Sequence, residues 1–381
     1  MNDNASARPT ITIVYNTAFY VYKFRMNLIA ELKNAGYKVA VISPHDDYVS
    51  ILQEQDIEHY PIRMSQYGMN PLKELVTAFA IYRVLNDIKP KYSLHYTIKP
   101  NIFGSLAANW AGVPVINNIA GAGKAFSNEG SLLQRLVAFL YRISLRRSHK
   151  VFFQNRDDMK LFLDGGLAPA SISERIPGSG VDLTKYAVPL PQNATGFRFL
   201  FVGRLLKEKG IGEYLQAASR VLQQRPERTV SFEIVGELDD TADYVDREYF
   251  ESFLQNPSFV YHGTVSPNVM PQIIGKADCV VLPSYYREGV PRSLLEAVAM
   301  AKPIITTDNV GCRDVLEDRV NGFKCNSRDA DDLYDCMQRM LELPVEERLR
   351  MGASGRRKAE TEFDETLVLA AYLRAISPQS P

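Results

Sequence analysis

Cysteine is scarce in this chain of 381 residues, and its four copies are dispersed: Cys279, Cys312, Cys325 and Cys336. No Cys-x-x-Cys pair occurs, and no cysteine stands near a histidine pair at zinc spacing, which removes zinc fingers, zinc ribbons and dithiol redox motifs. The pattern reads as reduced thiols in a cytosolic protein, where disulfides are rare. Histidine is equally thin, and His45, His59, His95, His149 and His262 include no pair at metal spacing. Net charge is zero, with 44 Lys+Arg against 44 Asp+Glu, and no tract interleaves aromatic with basic residues, so nucleic acid is not an expected partner. No uninterrupted apolar run reaches about 18 residues, and no spanning helix is expected. Met1–Thr10 is polar and lacks the apolar core of a signal peptide. Glycine is missing from Tyr15 to Arg25, where a nicotinamide dehydrogenase would carry Gly-x-Gly-x-x-Gly after its first strand.

What is present has the balance of a globular protein, 46% hydrophobic and 23% charged. The length calls for two domains of roughly 150–200 residues. Short apolar runs alternate with amphipathic segments: Ile11–Tyr15 and Val39–Ser43 read as buried strands flanking a helix from Phe24 to Ala35 that stops at Gly36. Helices follow at Pro71–Asp87, Asn101–Ala111 and Leu132–Arg147, with strands at Tyr92–Tyr96, Val113–Asn117 and Val151–Gln154. Pro189, Pro191, Asn193 and Gly196 mark a linker within Leu183–Gly196. A second series has strands at Arg198–Val202, Ser231–Val235, Phe259–Tyr261, Cys279–Leu282 and Ile304–Thr307, and two helical segments close the chain. The fold class is therefore α/β, two Rossmann-like doubly wound domains facing across a cleft. The expected domains are 1–186 and 187–381, with the last helix packing back on the first. Open parallel sheets bind ligands beyond the carboxyl ends of their strands, so the chemistry should follow strands.

Two segments meet that expectation. Phe201-Val202-Gly203-Arg204-Leu205-Leu206-Lys207-Glu208-Lys209-Gly210-Ile211 leaves a strand and opens a helix. Gly203 permits a close turn, and Arg204 and Lys209 add cations to a helix N-terminus, a place for phosphate. Leu282 to Ala297 follows another strand and carries Glu288 and Glu296 eight residues apart. Gly289 and Pro291 suggest an ordered loop with exposed N–H groups. Carboxylates accept two hydrogen bonds from vicinal hydroxyls, so one suits a sugar and the other a ribose. Acidic residues near a helix N-terminus are also favoured by its dipole alone.

These motifs resemble the family-4 nucleotide-sugar glycosyltransferases of the GT-B fold. Their Glu-x7-Glu motif matches Glu288 and Glu296, and their Gly-Arg…Lys-Gly turn matches Gly203, Arg204, Lys209 and Gly210. Their Gly-Val-Asp segment matches Gly180-Val181-Asp182, although Ser179 stands where Asn is common. The resemblance runs from about residue 11 to 365. It implies that Arg204 and Lys209 bind the donor diphosphate and neutralise the leaving group, and that Glu288 bonds hydroxyls of the donor sugar. The backbone of Gly289 and Val290 would approach the sugar or phosphate, and Glu296 would hold the ribose. Arg204, Lys209 and Glu288 are thus the catalytic candidates. The family retains anomeric configuration and needs no metal or cofactor; the literal Asp329-Ala330-Asp331 is expected to cap a late helix instead.

On the N-terminal side, Phe24-Arg25, Thr97-Ile98-Lys99-Pro100-Asn101-Ile102-Phe103-Gly104 and Arg287-Glu288-Gly289-Val290-Pro291-Arg292 are similar to a bacterial subgroup that builds glycans on polyprenyl-diphosphate carriers. That similarity implies a UDP-N-acetylhexosamine donor as substrate and a lipid-linked glycan acceptor at the inner face of the cytoplasmic membrane. Acceptor-side candidates are Asn16, after the first strand, Lys99, suited to a phosphate, and Asn118, in the loop Asn117 to Lys124. Asn118 stands where many relatives carry His or Glu, and it cannot act as a base. His95 and the backbone at His262-Gly263 also lie near strand ends. Residues 1–195 carry 21 Lys+Arg against 15 Asp+Glu, and the remainder 23 against 29, so the first half is basic. The helix Leu132–Arg147 mixes apolar residues with Arg135, Arg142, Arg146 and Arg147, as a helix lying on an anionic membrane would; packing against its own sheet is the other reading. Arg356-Arg357-Lys358 reads as a solvated face. A non-catalytic nucleotide-sugar-binding protein and a sugar-nucleotide epimerase are the rival functions.

Overall fold

A computed structural model describes residues 8–65, 70–123, 126, 130–188, 196–225 and 229–377. The linker prolines Pro189 and Pro191, with Asn193, lie outside the described residues, as does Lys124. The chain forms two compact units: Met1–Ser179 with Leu367–Pro381, and Gly180–Thr366.

The first unit holds a parallel seven-stranded sheet: β1 (Thr10–Val14), β2 (Lys38–Ser43), β3 (Glu58–Pro61), β4 (Tyr92–Tyr96), β5 (Val115–Ile119), β6 (Lys150–Phe153) and β7 (Ser173–Arg175), in the order β3-β2-β1-β4-β5-β6-β7. Its helices are α1 (Ala18–Asn34), α2 (Val49–Glu54), α3 (Pro71–Ile88), α4 (Ser105–Ala111), α5 (Leu132–Leu145), α6 (Arg156–Asp164) and, from the chain end, α14 (Glu365–Ile376). Side chains alternate across each strand. Ile13, Val41, Ile116 and Phe152 therefore pack with Leu28 of α1, Leu52 of α2 and Tyr372 of α14. Val14, Ile42 and Val115 face Ile81 of α3 and Ala107 of α4, while Val151 and Phe153 face Tyr141 of α5 and Phe162 of α6.

The second unit has a six-stranded parallel sheet: β8 (Phe197–Val202), β9 (Val230–Val235), β10 (Phe259–Tyr261), β11 (Cys279–Leu282), β12 (Ile304–Thr307) and β13 (Gly322–Cys325), ordered β10-β9-β8-β11-β12-β13. Around it lie α7 (Ile211–Gln224), α8 (Arg247–Phe253), α9 (Met270–Lys276), α10 (Arg292–Ala299), α11 (Cys312–Val315), α12 (Ala330–Glu342) and α13 (Val345–Lys358). Both sheets are doubly wound, and in each the strand order reverses once, between β1 and β4 and between β8 and β11. That reversal opens a crevice at the carboxyl edge where ligands bind.

Several sequence expectations shift. Helix α1 starts at Ala18, earlier than Phe24, because Thr17 caps it by accepting from the Tyr20 N–H at 3.1 Å. Asn101–Ala111 is not one regular helix, since a π-helical turn over Pro100–Gly104 precedes α4. Arg356 is not on a solvated face: it donates to the carbonyls of Ala299 at 2.6 Å and Tyr186 at 3.1 Å, and Lys358 pairs with Glu317 at 2.8 Å. Gly180-Val181-Asp182 has a packing role, Val181 bridging to Asp364 while Gly180 lies against the backbone of Glu365.

Candidate active site

At the switch point of the second sheet, the segment after β8 meets the segment after β11. Gly203 continues β8 by donating to the Val235 carbonyl at 3.0 Å. A 3-10 turn, Lys207–Lys209, then leads through Gly210 into α7. Gly210 has φ +79°, and a Cβ there would lie 2.3 Å from the Pro283 carbonyl oxygen, so only glycine lets the turn press against the end of β11. The two segments are also joined by the Tyr285 N–H donating to Glu208 at 2.9 Å.

This contact brings Lys209 onto Glu288. Their side chains form an ion pair of which both members are largely buried, and the Ser284 hydroxyl reaches the same carboxylate oxygen at 3.4 Å. Lys209 also sits 5.5 Å above the ring of Tyr286. The loop carrying Glu288, Gly289 and Val290 is held from behind by Gly311, whose φ is +81° and whose Cβ would fall 1.6 Å from the Gly289 carbonyl oxygen. Asn309 adds a bond to the Tyr286 carbonyl at 2.9 Å. Cys312 lies near the pair, but burial first, and then the Glu288 charge, push its thiol up to about 12, too basic for a nucleophile at neutral pH.

Glu296 lies in the middle of α10 and is buried. Arg292 donates to it at 2.9 Å across one helical turn, and burial followed by the Glu296 charge raises the pKa of Tyr186. Glu296 is thereby fixed in rotamer. Arg204 is half-buried just beyond β8, beside the pair-bearing turn. The described residues thus place Gly203, Arg204, Lys209, Glu288, Gly289 and Val290 on two joined segments at one strand edge, with Glu296 on the helix that follows. Ser284, Arg292 and Tyr186 were not singled out in the sequence; only Arg292 carried a signal, its four-residue spacing from Glu296.

The acceptor-side candidates do not form one cluster. Lys99 is engaged by Glu74 of α3 at 2.6 Å and by the Ser65 hydroxyl at 2.7 Å, so it is neither a solvated lysine nor an unpaired cation. Asn118 is fully buried, donating to the Tyr372 hydroxyl at 2.8 Å and accepting from Gln154 at 3.0 Å. Asn16 lies at the end of β1 with its Oδ1 buried. His95 is buried between Ser93 and Ser105, and burial lowers its pKa to about 3, which keeps the ring neutral and structural. His262 pairs its Nε2 with Glu233 at 2.9 Å. Asp329 caps α12 by accepting from the Asp332 N–H at 2.9 Å, and Asp331 pairs with Arg220.

Two doubly wound domains with a cation–carboxylate cluster at a switch point fit the GT-B architecture, and the comparisons with known proteins identify a glycosyltransferase. Residues 12–155 match the model for "Glycosyl transferase 4-like" domains and residues 184–358 that for "Glycosyl transferases group 1". The chain is thus a glycosyltransferase with a family 4-like domain followed by a group 1 domain. It is 27% identical over 371 residues, 93% of this chain and 94% of the other, to the Campylobacter jejuni N,N'-diacetylbacillosaminyl-diphospho-undecaprenol alpha-1,3-N-acetylgalactosaminyltransferase. It is 24% identical over 284 residues, 71% of each chain, to an Escherichia coli UDP-Gal:alpha-D-GlcNAc-diphosphoundecaprenol alpha-1,3-galactosyltransferase. Among solved structures, Anabaena HepE in complex with UDP and glucose matches with a TM-score of 0.78 and 16% identity, covering 97% of this chain and 99% of that one.

Proposed function

We propose that the protein transfers a hexosyl or N-acetylhexosaminyl group from a UDP-sugar, with retention of configuration, to a polyprenyl-diphosphate-linked glycan at the inner face of the cytoplasmic membrane. The Lys209–Glu288 pair at the switch point of the second sheet carries this reading. A sugar leaving its diphosphate builds negative charge on the leaving phosphate. A lysine already fixed beside a helix N-terminus stabilises that charge without reorganising. Glu288, oriented by Lys209 and Ser284, is an acceptor for sugar hydroxyls, and Glu296, fixed by Arg292, for those of a ribose. No step here asks for a metal: the acceptor hydroxyl attacks the face the diphosphate leaves, and a donor phosphate oxygen takes its proton. The lipid-linked acceptor is supported by the relatives from Campylobacter jejuni and Escherichia coli, whose printed activities both use undecaprenyl-diphosphate carriers.

Contact with an anionic membrane is part of the same proposal, and two helices support it. In α5, Leu132, Leu136, Phe139 and Ile143 face outward while Val137, Tyr141 and Leu145 pack inward. In α3, Leu72, Leu75, Val76 and Phe79 form a second outward stripe, Leu72 being 74% exposed. Exposed apolar stripes beside basic residues suit a lipid surface. No helix among the described residues is long and apolar enough to cross a membrane.

The test is a panel of UDP- and GDP-sugars followed by thermal stability, then transfer to a short-chain polyprenyl-diphosphate sugar. A stabilising UDP-sugar, lost in Glu296→Ala, and transfer from that donor are the expected results. Stabilisation by no donor, or donor binding without transfer to any diphosphate-linked acceptor, would overturn the reading.

A further inference from the structure

At the carboxyl edge of the first sheet, the switch point between β1 and β4 holds a cation that the donor chemistry does not use. The register ends with Val14 beside His95, and the residues that follow on the two strands are Tyr15-Asn16 and Tyr96-Thr97. Tyr15 and Tyr96 stack with centroids 5.2 Å apart. Above them, the Arg25 guanidinium lies 4.0 Å from the Tyr96 ring centroid, with Tyr372 of α14 close to the same ring. Helical side chains lean toward the helix N-terminus, and for α1 that end is the carboxyl edge of the sheet.

Arg25 is 3% exposed, and its Nε has no hydrogen-bond partner among the described residues. Its neighbours there are tyrosines, Tyr15 among them as a hydrogen-bond partner, and among the described residues no carboxylate forms an ion pair with it. Guanidinium does not shed its proton in a protein, so the charge is permanent and its desolvation is not escaped by neutralisation. Stacking on Tyr96 and the hydrogen bond with Tyr15 offset only part of what burying an ion costs. Two more buried polar atoms without partners lie at this edge, Asn16 Oδ1 and Thr97 Oγ1. Thr97 also holds φ +66°, a conformation a β-branched residue adopts only under constraint. The helix terminus itself is already taken, since Asp46 accepts from the Ala18 and Phe19 N–H groups at 2.8 and 3.1 Å.

We infer that Arg25, with Asn16 and Thr97, forms a subsite for a phosphoryl group, and specifically for the diphosphate of the lipid-linked acceptor. The inference rests on the lipid-linked reading above. A guanidinium presents paired donors that match phosphate oxygens, the Thr97 hydroxyl can donate to the same group, and Asn16 Oδ1 can accept from a neighbouring sugar hydroxyl. The donor diphosphate has its own cations in the other unit, so each sheet would hold one diphosphate at its own switch point.

The test compares one acceptor sugar carried on a prenyl diphosphate with the same sugar as a neutral alkyl glycoside. Wild-type protein is expected to prefer the diphosphate by at least about 10-fold in kcat/KM, and Arg25→Gln to lose that preference through KM while its response to the donor is unchanged. Should Arg25→Gln fail to fold, Thr97→Gly removes the hydroxyl and relieves the positive φ; it is expected to melt no lower than wild type and to weaken the preference several-fold. A second arm needs no transfer: with UDP present, geranyl diphosphate should raise the melting temperature of wild type but not of Arg25→Gln. Equal losses on charged and neutral acceptors, or an undiminished preference in Thr97→Gly, would overturn the inference. Absence of transfer with the geranyl diphosphate shift intact would instead sink the functional reading and leave the subsite standing.

Discussion

A lysine and a glutamate held in contact each set the position of the other, so removing either should disturb more than its own role. Lys209→Ala and Glu288→Ala are expected to lower kcat by about 100-fold or more, since under the proposed function each removes a group that meets charge or hydroxyls in the transition state. Each also strips a mostly buried charge of its partner, so a fall of a few degrees in melting temperature is expected as well. Glu288→Gln keeps shape and acceptor oxygen and should melt closer to wild type while staying slow. Steady-state rates with melting curves for the three variants check this, and wild-type rates in either alanine variant would remove that residue from the mechanism. His95 makes a prediction of a different kind. Its folded pKa of about 3 lies below the unfolded value near 6.5, so unfolding binds a proton between those limits. The stability His95 contributes is complete above about pH 6.5 and is lost as pH falls toward 3. His59 is displaced in the same direction by burial and then by His45. His95→Gln should therefore flatten, without abolishing, the acid decline of the denaturation midpoint; an unchanged slope would mean that the ring is not held neutral.

The elements around the Lys209–Glu288 pair depend on close backbone approach, which gives two glycines opposite expectations. Gly311→Ala would drive a methyl group into the Gly289 carbonyl and disturb the loop of Glu288, so activity should fall further than melting temperature. Gly212 sits in the first turn of α7 with nothing within 4 Å of its missing Cβ, and Gly212→Ala should stabilise by about 0.4–1 kcal/mol with activity kept. Parallel denaturant titrations and rates decide both. Such differences are hard to read in sequence, because they depend on what lies across the space and not on the neighbours in the chain. Strands with apolar runs, such as Ile11–Tyr15 and Cys279–Leu282, were legible, as were the two segments bearing Lys209 and Glu288, since residue types and spacing there are dictated by local chemistry. The edge strands β3 and β7 were not, being short, polar and partly exposed. Arg25 was visible only as part of a motif; its burial is created by Tyr96 and Tyr372, which the sheet and the chain end bring from far away in sequence.

On the scale of the whole molecule, the uneven charge gains a location. The basic excess belongs to residues 1–195, and much of it is displayed by α5 and the turn that follows it, where Arg135, Arg142, Arg146 and Arg147 are exposed and no acidic residue occurs between Leu132 and Lys150. The outward stripes of α3 and α5 leave the hydrophobic effect unspent in water, and the arginines add attraction that salt should screen. Flotation with phosphatidylglycerol vesicles should therefore carry the protein upward at low salt, less at 0.5 M salt, and little with phosphatidylcholine alone. Leu136→Asp and Phe79→Asp place charge in the centre of each stripe and should each reduce flotation several-fold. Both positions are solvent-facing, so melting temperature and transfer to a short, water-soluble acceptor should stay at wild-type values, whereas transfer to a full-length polyprenyl acceptor in vesicles should fall. If Leu136→Asp alone reduces flotation, α5 docks without α3; if neither does, the stripes serve another partner and the membrane term leaves the proposed function.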